Sequence, residues 1–344
     1  MKASAALLLL SSASGALGSP LGETRIQIIE PSNTVTESPE VKVCLYVHPK
    51  ADHPLTYISA PSGIETDVRG FIAADSTAQE IVISVRGSMS LTSWIGDVIW
   101  ARELSSLCDG CWAHFGFLFA YHEIARSVNT SLASAVRLFP SYKITVTGHS
   151  LGGAIATLLG MHIRDAGYDA DIYTYGSPRV GNEALARYIT HQPGSNYRVT
   201  HLADAVARLP PMQVGFRHTS PEYWLSDGYP RTVNYGPDDV EVCKGYYNAA
   251  CNSGAPWWLV DLTSHFYYLV AISHCGEATP RLSLGSIADA AGATAGPVNG
   301  TTATNSTTEG LDPNVADNIA MQAKLDQAYA SALADASGAV EVLF

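Results

Sequence analysis

Between about residues 70 and 205 the hydrophobic positions switch repeatedly between two periods. Short runs rich in β-branched and aromatic residues, EIVISVRG (80–87), KITVTG (143–148), DIYTYG (171–176) and NYRVTHL (196–202), predict strands. Between the first two, Phe117, Tyr121, Ile124, Val128, Leu132, Val136 and Phe139 recur at helical spacing until Pro140 ends the pattern. LGGAIATLLGMHIRDAG (151–167) and NEALARYIT (182–190) predict two further helices, the first apolar nearly all round and so expected to be buried. Strands alternating with helices predict an α/β fold, a mostly parallel central sheet covered by helices on both faces.

The pattern fails at both ends. MKASAALLLLSSASGALGSP carries one Lys, an apolar run too short to span a bilayer, and small residues near Ala16 to Ser19, so residues 1–18 are expected to be a secretory signal. The α/β unit is assigned to 19–278. Residues 279–311 are dominated by Ala, Gly, Ser and Thr, which bury too little apolar area to offset ordering, and are expected to be a linker. Residues 312–344 form a C-terminal extension in which Asp312-Pro313 opens a weak helix. No later stretch is long and apolar enough for a membrane span, so the mature protein is expected outside the cell, as a monomer.

Composition narrows the function. Of 344 residues 47% are hydrophobic and 15% charged, enough for a full core. The net charge of −12, with no Lys/Arg cluster, argues against a nucleic-acid partner. From Glu277 onward eight acids face only Arg281 and Lys324, so the tail holds half of that charge. Six cysteines (Cys44, Cys108, Cys111, Cys243, Cys251 and Cys275) in an oxidising compartment imply three disulfides, with fifteen connectivities open. Cys108-Asp109-Gly110-Cys111 also has the form of a redox or zinc motif, but no second Cys or His pair stands at finger spacing, and no metal or organic cofactor is expected. Asn129, Asn299 and Asn305 open glycosylation acceptor triplets.

The candidate chemistry sits at Gly148-His149-Ser150-Leu151-Gly152, where a predicted strand becomes a predicted helix. G-x-S-x-G in that setting is the nucleophile elbow of α/β-hydrolases. A serine on so sharp a turn needs neighbours without Cβ, which Gly148 and Gly152 supply. Leu151, at the helix start, offers its backbone N–H to a forming oxyanion. A plain strand-turn-helix glycine motif is the blander alternative. A serine needs a base steered by a carboxylate, and in this fold the chain order is Ser, acid, His. Asp204, just past a predicted strand end, is the candidate acid. His218, His265 and His274 follow it. His218 lies in a strand-like stretch and His274 beside Cys275, whereas His265 precedes an aromatic, helix-like run and is ranked first.

At this point the chain resembles the secreted fungal class 3 lipases, the triacylglycerol lipases with their mono- and diacylglycerol lipase and feruloyl esterase relatives. The matching stretches are IVISVRGSMSLTSWIGDV, CDGC, TVTGHSLGGAIATL, YTYGSPRVGN, RVTHLADAVARLPP, HTSPEYW and LTSHFYYL, in order from about Gly70 to His274. The resemblance implies an α/β-hydrolase fold with a short helical lid, Ser150 as nucleophile, Asp204 as triad acid and His265 as base. It implies Ser88 as the second oxyanion-hole residue beside Leu151, Asp97 as the residue holding Ser88 when the lid opens, and the bridges Cys44–Cys275, Cys108–Cys111 and Cys243–Cys251.

Leu91, Trp94, Ile95 and Val98 fall at i, i+3, i+4 and i+7 of a short segment otherwise made of Ser, Thr, Gly and Asp. Such a stripe packs on a core in most proteins; the resemblance makes it, with Asp97, the lid that opens at lipid. The expected function is a secreted serine lipase acting on acylglycerols at a lipid–water interface. A feruloyl esterase-like hydrolase of soluble or cell-wall esters is the alternative, and a non-catalytic lipid carrier on the same fold is a third reading.

Overall fold

The computed structural model describes residues 55–86, 102–104, 108–247 and 249–272, short strands at 27–29 and 35–37, and helical Ala320, Met321 and Lys324. The chain runs through β1 (Gln27–Ile29), β2 (Val35–Glu37), β3 (Leu55–Ser59), β4 (Gly70–Asp75), β5 (Glu80–Val85), β6 (Arg102–Leu104) and β7 (Trp112–His114). Then come α1 (Phe115–Leu138), β8 (Lys143–His149), α2 (Leu151–Asp165), β9 (Ala170–Tyr175), α3 (Glu183–His191) and β10 (Asn196–His201). β11 (Glu222–Leu225), β12 (Val240–Cys243), β13 (Tyr267–Tyr268) and β14 (Val270–Ala271) complete the described elements.

Ten strands form one sheet in the order β12-β11-β10-β9-β8-β5-β4-β3-β1-β2. Its centre, β5-β8-β9-β10-β11, is parallel throughout. β4 pairs antiparallel with β5, and β12 antiparallel with β11. The expected mostly parallel α/β sheet is therefore present, with antiparallel pairs flanking its parallel centre and a short turn joining β4 to β5. In that turn Asp75 Oδ1 accepts from the Thr77 and Ala78 N–H groups at 2.8 and 2.9 Å, folding the chain from β4 into β5.

The central strands are covered on both faces, so β5 and β8 are buried at nearly every position, with the hydroxyl residues Ser84, Thr145 and Thr147 buried along with the apolar ones. α1 buries Phe117, Tyr121, Ile124, Val128 and Leu132, the predicted stripe, against this sheet and α2. α2 is buried on nearly every side, and a Cβ at Gly160 would lie 2.4 Å from Ile172, so the glycine sets how closely helix and sheet approach. α3 starts where Asn182 accepts from the Leu185 N–H at 3.1 Å. Across β9, β10 and β11, Tyr173, Tyr197 and Tyr223 form a ring ladder with centroids 4.4 and 5.5 Å apart.

One expectation fails here. The run after His265 is not helical: Ser264–Phe266 make one 3₁₀ turn, and β13 and β14 form a tiny hairpin. Leu269, at φ +55°, turns the chain between them, and an alternation that tight leaves no room for a helical turn. The structure joins Cys108 to Cys111 and Cys243 to Cys251, as the resemblance implied. Cys44 and Cys275 lie outside the described residues, as do Asn299 and Asn305. Asn129 is exposed on α1, 2.8 Å from His162 Nε2. Among the described residues no helix is long and apolar enough to cross a membrane.

Candidate active site

The parallel strands deliver the site to one sheet edge. β8 ends at His149 and α2 begins at Leu151, leaving Ser150 alone on the turn at φ 58°, ψ −130°. Such a backbone costs a residue with a side chain of order 1–3 kcal/mol and persists only where its surroundings fix it. They do: the Ser150 N–H donates to the Tyr175 carbonyl at 3.0 Å, and the Ser150 carbonyl accepts from Gly153 N–H at 2.9 Å. A Cβ on Gly148 would stand 2.2 Å from the Gly152 carbonyl oxygen, so strand and helix close only around glycine. Leu151, the first helical residue, has an N–H with no carbonyl inside the helix to receive it.

Asp204 follows β10 and is fully buried. Its Oδ1 accepts from the Val206 N–H at 2.8 Å, and its Oδ2 accepts from His265 Nδ1 at 2.8 Å and from the Tyr268 hydroxyl. Burial drives the Asp204 pKa up, but His265, the Tyr268 hydroxyl and the Val206 N–H together outweigh it, so the net shift is downward and the carboxylate stays ionised at neutral pH. The same carboxylate, together with burial, pushes the Tyr268 phenol well above its ordinary value.

The loops carrying Asp204 and His265 are tied together. Asp204 and Asp261 form an isolated parallel bridge, with the Ala205 N–H donating to the Asp261 carbonyl at 3.2 Å. The Asp261 carboxylate in turn accepts from Ser264 N–H and Oγ–H, both at 2.7 Å, and so seats the turn that holds His265. Because Asp204 accepts a hydrogen bond from Nδ1–H, a neutral His265 carries its lone pair on Nε2. That Nε2 and Ser150 Oγ are both buried without a hydrogen-bond partner. No hydrogen bond joins them in this state. The ring of His149, next to Ser150 in the chain, lies 4.4 Å from that of His265.

Of the histidines considered as bases, His218 is a core residue outside any strand, its Nε2 2.7 Å from the Ala207 carbonyl, and burial with Arg198 and Arg179 nearby holds its pKa well below the ordinary value. His274 lies outside the described residues. So do Ser88, Leu91, Trp94, Ile95, Asp97 and Val98. Two residues without an assigned part belong to the constellation. A Cβ at Gly176, itself at φ +57°, would lie 2.8 Å from Asp204 Oδ2, 2.9 Å from His265 Nδ1 and 2.9 Å from the Tyr268 hydroxyl. Tyr268 is the other, and both stand inside matching stretches, YTYGSPRVGN and LTSHFYYL, where no pattern marks them out. Among the described residues no group of three His, Cys, Asp or Glu is placed to hold a metal ion.

The family model described as lipase (class 3) matches residues 82–214. Secreted mono- and diacylglycerol lipase A of Penicillium cyclopium is 39% identical, over 60% of this chain and 68% of its own length. The chain belongs to the class 3 lipase family. A second class 3 relative, the secreted mono- and diacylglycerol lipase 1 of Fusarium solani, is 43% identical over 62% of this chain, which spans 63% of that relative's length. The solved mono- and diacylglycerol lipase of Aspergillus oryzae superimposes with a TM-score of 0.63 at 36% identity, covering 66% of this chain and 86% of the other. The sheet described above is thus the α/β-hydrolase sheet of the class 3 lipases.

Proposed function

We propose that this protein is a secreted serine hydrolase of acylglycerol esters, with Ser150 as nucleophile, His265 as base and Asp204 as the acid that orients it. The observation that carries the reading is the Asp204 carboxylate on His265 Nδ1, 2.8 Å away, which leaves Nε2 bare, while Ser150 stands on a strained turn beside His149, whose ring packs on that of His265. His265 Nε2 takes the Ser150 hydroxyl proton as Oγ bonds to the ester carbonyl carbon. The carbonyl oxygen becomes an oxyanion received by the Leu151 N–H and by Ser88. When the carbonyl re-forms, the C–O bond to the alcohol breaks and that oxygen takes the proton from Nε2. Water then attacks the acyl-enzyme, giving up a proton to His265 Nε2; the acyl C–Oγ bond breaks, Ser150 Oγ takes that proton back, and the fatty acid is released.

The relatives, named as mono- and diacylglycerol lipases, support acylglycerols as substrates. The stripe Leu91, Trp94, Ile95 and Val98, with Asp97, supports a lid that exposes an apolar face at a lipid–water interface. The first eighteen residues support secretion. The test compares wild type with Ser150→Ala on an emulsified diacylglycerol and on methyl ferulate. The reading expects hydrolysis of the emulsion by wild type, a rise in rate above the lipid's solubility limit, and loss of that activity in the variant. Hydrolysis of ferulate alone, or an active Ser150→Ala, removes it.

A further inference from the structure

The reaction as written leaves one residue of the elbow without a part. His149 lies between Gly148 and Ser150, ends β8, and is paired across the sheet with Tyr175 of β9. Its Nε2 is 2.7 Å from the main-chain carbonyl oxygen of His265, 116 residues later in the chain. A carbonyl has no proton to give, so His149 Nε2–H is the donor. The two imidazoles also pack on each other, centroids 4.4 Å apart at 38°, and Tyr268 meets the His149 ring at 5.8 Å and 62°. The nucleophile's neighbour therefore holds the base's backbone with a hydrogen bond and backs the base's ring.

We propose that His149 is a positioning residue: by donating to the His265 carbonyl and stacking on its ring, it keeps His265 seated on Asp204 with Nε2 ready for the Ser150 proton. The inference rests on the triad reading above. Its physical basis is that His265 stands on a single 3₁₀ turn, in which its N–H donates to the Leu262 carbonyl at 3.2 Å and the Phe266 N–H to the Thr263 carbonyl at 3.0 Å. Proton transfer tolerates little displacement, and about 1 Å costs on the order of 10²-fold in rate. Anchoring that turn to β8 fixes it to the same rigid element that presents Ser150.

The arrangement also needs His149 uncharged, because His265 becomes an imidazolium when it takes the serine proton. The charged and titratable groups around His149 are His265, Asp204, Tyr268 and Tyr175. Burial, then the proximity of His265, press the His149 pKa down to about 3, against smaller opposing effects of its bond to the His265 carbonyl and of Asp204. It thus donates as a neutral ring across the whole range in which a neutral His265 can act as base.

The test uses the full chain with His149→Phe, His149→Gln and His149→Asn, and a soluble p-nitrophenyl butyrate below its solubility limit. Phe keeps the stacking and loses the donor; Gln places an amide N–H near the reach of Nε2; Asn is too short. We expect kcat per folded molecule to fall about 10-fold or more in Phe and Asn with KM within about 2-fold, and to recover at least to a third of wild type in Gln. The acid limb of kcat/KM against pH, which reports the free base, should move in Phe and Asn and return in Gln. A merely structural residue would lower the melting temperature and leave kcat and the acid limb alone. Wild-type kcat and limb in His149→Phe overturn the inference, as do equal rates in Gln and Asn if Phe does not fold. Ser150→Ala, run alongside, separates the two claims: an active Ser150→Ala removes the triad and this inference together, whereas an inactive one with a fully active His149→Phe removes this inference alone.

Discussion

At the scale of single residues, the site is built around what is missing from Gly176. Its α-carbon lies where any side chain would enter the space shared by Asp204, His265 and Tyr268, and its φ of +57° disfavours a side chain on its own account. Gly176→Ala should therefore fold with lowered stability and lose about 10²-fold or more in kcat, checked by circular dichroism and turnover of a soluble ester. Near-wild-type turnover would mean the cluster can move aside. Tyr268→Phe removes one donor from the ionised Asp204 and leaves the ring in place. A loss of roughly 1.5–3 kcal/mol of stability is expected, read from urea unfolding, because a hydrogen bond to a charged group disappears without replacement. Ser150, Asp204 and His265 can be proposed from sequence because each must be one of a few residue types in a fixed chain order. Gly176, Tyr268 and His149 cannot, since their roles come from approach in space, and one-dimensional spacing carries no trace of it.

At the scale of elements, the long periodic segments were the readable ones. α1 and α2 bury the apolar faces their periods marked, and β5 and β8 are buried along nearly their whole length, as a doubly covered strand requires. The segment after His265 misleads because Phe266 to Val270 has neither a period long enough to show nor a proline or glycine to break it. Its turn is made by Leu269 at positive φ, a conformation that tertiary packing enforces and propensity does not foresee. The Cys243–Cys251 bridge closes a short loop between edge strand β12 and the turn at Asn252. Asn252 Nδ2 donates to the Leu202 and Asp204 carbonyls at 3.1 and 3.3 Å, so this bridge supports the acid's loop. Replacing both cysteines by alanine should cost about 2.5 kcal/mol through loop entropy, seen as a lower urea midpoint, with kcat reduced as Asp204 loosens. An unchanged midpoint would show that the loop is held by other contacts.

At the scale of the whole molecule, several buried groups titrate in the same direction. His149, His201 and His218 have lowered pKa values because burial penalises their charged forms. Asp204 and Glu222 are also lowered, burial pulling upward but being outweighed by His265 at the first and by Arg198 and Thr200 at the second. Each of these groups binds a proton more readily in the unfolded chain. Their contribution to stability is therefore present above the unfolded pKa values, near 6.5 for the histidines and near 4 for the carboxylates, and is lost as pH falls below them. Asp261, raised by burial, works in the opposite sense but only near the carboxylate range. The melting temperature should be level between pH 7 and 8, fall from about pH 6.5 downward, and fall faster below pH 4; a melting temperature that rises towards pH 5 contradicts this. The central claim, that Ser150 is a nucleophile activated by His265 on Asp204, is tested most directly by a p-nitrophenyl alkylphosphonate, which transfers its phosphonyl group to an activated serine. The account predicts one phosphonyl group per molecule, located on Ser150 by peptide mass spectrometry, with labelling lost in Ser150→Ala and slowed by orders of magnitude in His265→Ala. Stoichiometric labelling elsewhere, or equally fast labelling of Ser150 without His265, would contradict it.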